Sequence, residues 1–341
     1  LKDFYLQISL PAYISQHGFL CPVSCIFTKK KDLLMDTTSC WIALEQTEGM
    51  GPAHMKEIHD ALKAMDLSIT DLFDLSLEEI TAEFSFSQKV AECVIRAKST
   101  APQIEDDYFQ VIDSGFEVVP FFSNFYPERL KEIMGTTFPP LLYLYGNKSI
   151  LNYRGIALLG DKFISDKGGE IAYTAARELS HHQITTISGY AAGADMIAHR
   201  SALDNSGTTI AVLPQGILKF SLHESLKDVF DPERIAVISP FYPTREATKF
   251  NAFIRNKIAC ALARAVFIIE APHEGGIYEA GKSAHKLKVP LFTTEYGSYP
   301  KSAEGNRRLI EELGAKPVRG RFINDLLVPN MEKILGIAKF N

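Results

Sequence analysis

The feature that most limits what this 341-residue chain can fold into is an alternation that runs through its second half. Ile156–Leu159, Thr185–Ile187, Thr209–Leu213, Ile235–Ile238, Val266–Ile269 and Pro290–Phe292 are short, largely apolar runs rich in β-branched residues. A strand with one wet face alternates apolar with polar residues, so runs without that alternation have to be covered on both faces. Between them lie segments with helical spacing: Glu170–Leu179, Ala194–Leu203, Phe253–Ala263 and Tyr278–Leu287. Repetition of strand and helix in this manner builds a doubly wound, mostly parallel sheet with right-handed crossovers, and Leu141–Tyr145 adds a strand ahead of it. The expected fold class is therefore α/β.

Upstream the period changes. From Thr38 to Lys98, apolar residues such as Ile58, Leu62, Met65, Val90, Val94 and Ile95 recur three to four apart, which gives a small all-helical domain over 37–100. Gly49-Met50-Gly51-Pro52 ahead of Ala53–Met65 reads as a hairpin between helices, with proline suited to the first helical position. Packing is the preferred role for it, and presenting amides to a nucleic-acid phosphate is the alternative. Pro102 and the acidic stretch Gln103–Asp107 mark a linker over 101–110. The sheet domain then occupies 111–325, with 326–341 as a C-terminal tail and 1–36 as an extension without an assigned role.

Charge and cysteine content narrow the function. With 36 basic and 41 acidic residues the net charge is −5, so any site for a polyanion has to be a local basic patch. Five cysteines are an odd, sparse set, which argues against a disulfide framework and for a reducing compartment. Cys21 and Cys25 have no second pair at zinc-finger spacing, and no metal is expected. No apolar run approaches the roughly 18 residues of a membrane helix, so a cytoplasmic protein without membrane partners is expected. GxGxxG after the first strand and GxxxxGK[ST] are both missing, and no cofactor is expected.

In an open parallel sheet, ligands sit beyond the carboxyl ends of the strands. The first long strand is followed by Gly160-Asp161-Lys162 and the second by Ser188-Gly189-Tyr190-Ala191-Ala192-Gly193-Ala194-Asp195. Later strands lead into Pro214-Gln215-Gly216, Ser239-Pro240 and Glu274-Gly275-Gly276. Glycines concentrated at strand ends suit close approach of a phosphate to main-chain amides, although strand-to-helix turns use glycine as well. Phe253-Ile254-Arg255-Asn256-Lys257-Ile258 then places a planar guanidinium, an amide and an ammonium near a helix start. Asp195, with His199 one turn on, reads as a helix-start carboxylate rather than an acid/base pair.

Taken together, these residues resemble the DNA-processing protein A family (DprA, also called Smf), from about Trp41 to Val318. Tyr126-Pro127-Glu128-Arg129-Leu130, Pro139-Pro140-Leu141-Leu142-Tyr143 and Gly146 resemble the family's lead-in. Ser188–Asp195 with Ala198-His199 and Ala202-Leu203 is similar to its SGxAxGxD…AHxxAL block, and Thr208–Leu213 to its next strand. Phe253, Arg255, Asn256 and Ile258 resemble FxxRNRxI, and Gly305-Asn306, Leu309-Ile310 and Gly314-Ala315 the closing GxN…LI…GA. The chain departs from the pattern at Gly160-Asp161-Lys162, where Gly-Ser/Thr-Arg is usual, and at Glu274–Ala280, where Ser-Gly-Ser-Leu-Ile-Thr-Ala is usual.

The resemblance implies an extended Rossmann-like domain that binds single-stranded DNA, forms a homodimer and helps load a RecA-type recombinase during DNA uptake, without bond-making chemistry. Gly160, Lys162, Ser188, Gly189, Gly193, Arg255, Asn256 and Lys257 would hold the strand. One alternative is a nucleotide phosphoribohydrolase of the LOG type, which Gly275-Gly276 with Glu279 resembles loosely; another is a module that senses a nucleotide without hydrolysing it.

Overall fold

A computed structural model describes residues 36–340. Its first element is α1 (Thr37–Gln46), capped by Asp36, whose carboxylate accepts from Thr38 N at 2.7 Å. It is followed by α2 (Pro52–Ala64), α3 (Ile69–Asp74), α4 (Leu77–Glu83) and α5 (Gln88–Asp113). Ser68 and Ser76 open α3 and α4 with reciprocal capping boxes to Asp71 and Glu79, which satisfies orphan amides at both helix starts. The 49–52 hairpin packs on α5: Arg96 Nη2 donates to Glu48 O at 2.9 Å, and Gly49 sits against Lys89 and Cys93. The Cys21 and Cys25 expectation and nearly all of the 1–36 extension lie outside the described residues.

The linker expected over 101–110 is helical instead. Helix α5 continues through Pro102, which is exposed, because Ala97, Ala101, Ile104 and Val111 extend one buried stripe along it. Two acidic residues of this stretch are tethers: Glu105 accepts from Asp36 N at 3.0 Å, and Asp107 from the Tyr242 hydroxyl at 2.6 Å.

The rest alternates as expected: β1 (Glu117–Pro120), α6 (Glu128–Met134), β2 (Leu141–Gly146), β3 (Gly155–Leu159), α7 (Asp166–His181), β4 (Thr185–Ser188), α8 (Ala194–Asp204), β5 (Thr209–Val212), β6 (Ile235–Ser239), α9 (Lys249–Leu262), β7 (Ala265–Ile268), α10 (Gly276–Lys286), β8 (Leu291–Thr294), α11 (Glu304–Leu313) and β9 (Lys316–Val318). These strands form one nine-stranded sheet in the order β1-β2-β6-β5-β4-β3-β7-β8-β9. From β6 to β9 every neighbouring pair is parallel, whereas β1–β2 and β2–β6 are antiparallel. The α/β class with a mostly parallel sheet behind a helical segment is thus what the chain forms.

The apolar runs are continuous because both faces are covered. Ile156, Leu158, Phe267 and Ile269 fill one core with α7, while Ala157, Leu159, Val266 and Ile268 fill the other with α9, α10 and the N-terminal helices. Full burial of each large apolar side chain contributes about 1.5–3 kcal/mol before ordering costs, so the two layers are what fix the strand ends in space.

The expected tail is structured as well. β10 (Gly320–Ile323) and β11 (Leu326–Pro329) form a hairpin through Asn324 and Asp325, both at positive φ, and α12 (Glu332–Phe340) follows. Thr174 Oγ1 donates to Leu327 O at 2.9 Å, and Met331, Ile334 and Ala338 close the core beside α7. No helix among the described residues is long and apolar enough to cross a membrane.

Candidate functional site

Strand order reverses between β3 and β7, and a crevice beyond the carboxyl ends of the strands is the consequence of that topology. Helices α7 to α10 all start at this rim, so their N-terminal amides face it. The loops after β3 and β4 meet there. Gly193 has φ +79°, and a Cβ on it would lie 2.5 Å from Lys162 O; Gly160 backs equally closely onto Ala194.

Arg255 belongs to this rim but is not free. It is 5% exposed, and its Nη1 donates to Asp195 Oδ2 at 3.0 Å. Its Nη1 sits against Gly189, where a Cβ would fall 0.8 Å from it, so only glycine fits. Asp195 Oδ2 also accepts from Ala191 N at 3.2 Å, and the single Ser188 hydroxyl proton lies between two acceptors, Leu158 O at 2.6 Å and Asp195 Oδ1 at 3.0 Å. Ser188, expected among the residues that hold the strand, is fully buried. The pair is therefore a clamp that shapes the 188–195 loop, and its charges cancel each other. Arg255 Nε and Asn256 Oδ1 are buried with no hydrogen-bond partner among the described residues, while Asn256 Nδ2 donates to Gly276 O at 3.2 Å.

Lys257 is turned elsewhere. Its Nζ lies 3.5 Å from Thr137 Oγ1, toward the connection between α6 and β2. Two residues along a helix from Arg255 is a rotation of about 200°, which carries the side chain away from the crevice. Lys162 does project from the rim, exposed, with Nζ 4.6 Å from the ring centroid of Phe163. Glu279 sits in the first turn of α10, half exposed and paired with Lys282 Nζ at 2.7 Å. With Phe253, Glu274, Tyr278 and Arg308 it lines a groove of about 560 Å³.

Sequence reasoning missed the aromatic side chains here. Phe163 is 75% exposed, Phe250 is 70% and Phe253 is 42%. The signal was available: Lys162-Phe163 and Lys249-Phe250 each set a cation beside an aromatic at a loop–helix junction. Arg245, in the connection leading into α9, and Lys249, the first residue of that helix, are both exposed and add positive charge.

His199 supports the loop from below. It is fully buried, with Nε2 2.6 Å from Gly189 O and Nδ1 2.7 Å from Thr209 Oγ1. Burial lowers its pKa from the ordinary 6.5, against the Gly189 bond and the Asp195 charge, which raise it. The folded imidazole thus takes up a proton less readily than the unfolded one. On this account its contribution to stability is whole above about pH 6.5 and declines as pH falls toward the lowered folded value. Urea midpoints measured from about pH 8 to about pH 5 should fall less steeply for His199→Gln than for the parent chain. Equal slopes would remove His199 from the acid response.

The geometry can now be set beside known proteins. The model of the family described as DNA recombination-mediator protein A matches residues 117–327, more than half of the chain. This chain belongs to the DprA/Smf family. The DNA processing protein DprA of Streptococcus pneumoniae is 30% identical over 220 residues, covering 62% of this chain and 76% of that protein. Protein Smf of Synechocystis is 27% identical over 285 residues, or 79% of this chain and 67% of its relative. The X-ray structure of the pneumococcal DprA superposes with a TM-score of 0.64 at 25% identity, covering 82% of this chain and 94% of that one. A Helicobacter pylori DprA, solved in a study of its single-stranded DNA binding mode, shares the fold: TM-score 0.53, 22% identity, 65% and 94% coverage.

Within the DprA/Smf family the FxxRNRxI segment needs one correction. The phenylalanine falls three residues before the first arginine and the isoleucine four after it, places held here by Ala252 and Ala259, so Phe253 stands one position late, Ile258 one early, and Lys257 replaces the second arginine. An aromatic ring is retained near that turn of α9, but on a different azimuth.

Proposed function

We propose that the chain binds single-stranded DNA across this rim and, as a homodimer, helps load a RecA-type recombinase onto it. One observation carries the reading: exposed phenylalanines beside lysines, Lys162-Phe163 and Lys249-Phe250, project where four helix N-termini converge. Sequence-independent strand binding needs cations for the phosphates and π-faces for the bases, and this rim supplies both in a molecule whose net charge is negative. Arg255, Ser188, Gly189 and Gly193 act by shaping the 188–195 loop, with Gly160 packed beneath it, and Asn256 ties α9 to the start of α10 through Gly276 O. The family's description as recombination mediators supports the loading role, and the strand binding described for the H. pylori relative supports the ligand. Lys257 has no place in the contact surface.

The test is fluorescence anisotropy with an oligothymidylate at several salt concentrations. Affinity should fall steeply with salt, and Lys162→Ala should reduce the slope of log K against log salt by about 0.7, the value for one single-strand phosphate contact. Phe163→Ala should cost about 1–3 kcal/mol of binding with the slope unchanged, because stacking releases no counterion. Parental binding by both variants would refute the interface.

A further inference from the structure

In a doubly wound sheet the reversal point offers one anion position, at the N-terminus of the helix that follows the first strand, where main-chain amides hold a nucleotide phosphate. In this chain that position is already filled from within. Glu270, two residues beyond β7, has no solvent exposure. Its carboxylate accepts from Ser165 N at 2.9 Å, Ser165 Oγ at 2.5 Å and the Tyr296 hydroxyl at 2.7 Å. Ser165 is the N-cap of α7, and its Oγ also accepts from Gly168 N at 3.1 Å, so Glu270 lies on the axis end of a 16-residue helix. The backbone is cut to fit it: a Cβ at Gly168 would meet Glu270 Oε1 at 2.6 Å. Asp161 N donates to Glu270 O at 3.0 Å, which ties the loop after β3 to the same residue. Burial and the bond to Glu270 push the Tyr296 phenol well above its ordinary pKa, so it stays a donor.

These partners are neutral donors converging on one buried charge, the arrangement a bound phosphate would find. We propose that Glu270 is an internal anion that occupies the phosphate position of this crevice and makes the fold refuse free nucleotides. The rim is thereby left to a polymer whose phosphates lie farther out, beside Lys162 and Lys249. That last step rests on the strand-binding reading, whereas the occupancy of the position does not.

The test compares the parent chain with Glu270→Ala, using inorganic phosphate and adenosine monophosphate as probes in calorimetric titrations and thermal melts. Removing the carboxylate leaves the Ser165 amide and hydroxyl and the Tyr296 hydroxyl around a space of its size. The variant should bind phosphate at least about tenfold more tightly than the parent, and phosphate should raise its melting temperature by more than it raises the parent's. The parent serves as the control for the general salting effect of phosphate. Should the variant fail to fold alone, phosphate is expected to restore a cooperative melt, as the missing anion supplied from solution. Parental binding as tight as the variant's, a folded variant with no gain, or an unfolded one without rescue would each overturn the proposal. No DNA enters the assay, so such a result would leave the strand-binding reading standing.

Discussion

Arg255→Ala is expected to lower the unfolding free energy by about 3–5 kcal/mol, the range found when one partner of a buried ion pair is removed. The cost comes from what stays behind: Asp195, 1% exposed, would keep its charge with only Ser188 Oγ and Ala191 N to solvate it. Urea denaturation followed by circular dichroism gives the number. Asp195→Asn in the same background should recover part of the loss by removing the stranded charge, and a double-mutant cycle reads the coupling. A loss below about 1 kcal/mol would place Arg255 among ordinary surface cations. Weaker DNA binding by Arg255→Ala is accordingly no evidence of phosphate contact until the fold of the 188–195 loop has been checked.

Gly189→Ala should cost about as much, by the opposite route. The new Cβ would lie 0.8 Å from Arg255 Nη1 and 2.0 Å from Cζ, so the guanidinium has to leave, and the ion pair with Asp195 goes with it. The expected loss is again about 3–5 kcal/mol. The two substitutions should be less than additive, because the Arg255→Ala background removes the clash with the guanidinium and leaves Asp195 Oδ2, 2.5 Å from the new Cβ, as the close contact that has to yield. Additive losses in the same denaturation series would mean that Gly189 is held by something other than the guanidinium.

How much of this could be read from the residues differs from element to element. The strands were legible because Ile156–Leu159 and Val266–Ile269 are apolar at every position, which only a sheet covered on both faces accommodates. Helix α5 was misread at Pro102 because proline and acid residues are breaker signals, yet the stripe through Ala97, Ala101 and Ile104 continued beneath them. At the rim, Arg255 was legible as a cation near a helix start, but its partner lies 60 residues away and no local pattern joins them. Ser188 looked like a loop residue because glycine follows it, whereas the last strand position turned it inward. The direction of Lys257 was legible: helical geometry alone turns it about 200° from Arg255, and its Nζ lies beside Thr137. Glu270 could not be found by spacing, since its meaning depends on which strands become neighbours where the order reverses.

The unbroken passage of α5 into the strand that follows has a consequence for how the molecule comes apart. Val90, Val94, Ala101 and Val111 share one continuous interior with Leu142, Leu144 and Ile238, and Asp107, accepting from the Tyr242 hydroxyl, laces the seam. The match to the family model begins at Glu117, but the packed body begins at Thr37. Severing the chain between them would strip the lining from one wall of the sheet and expose Leu142, Leu144 and Ile238 to water.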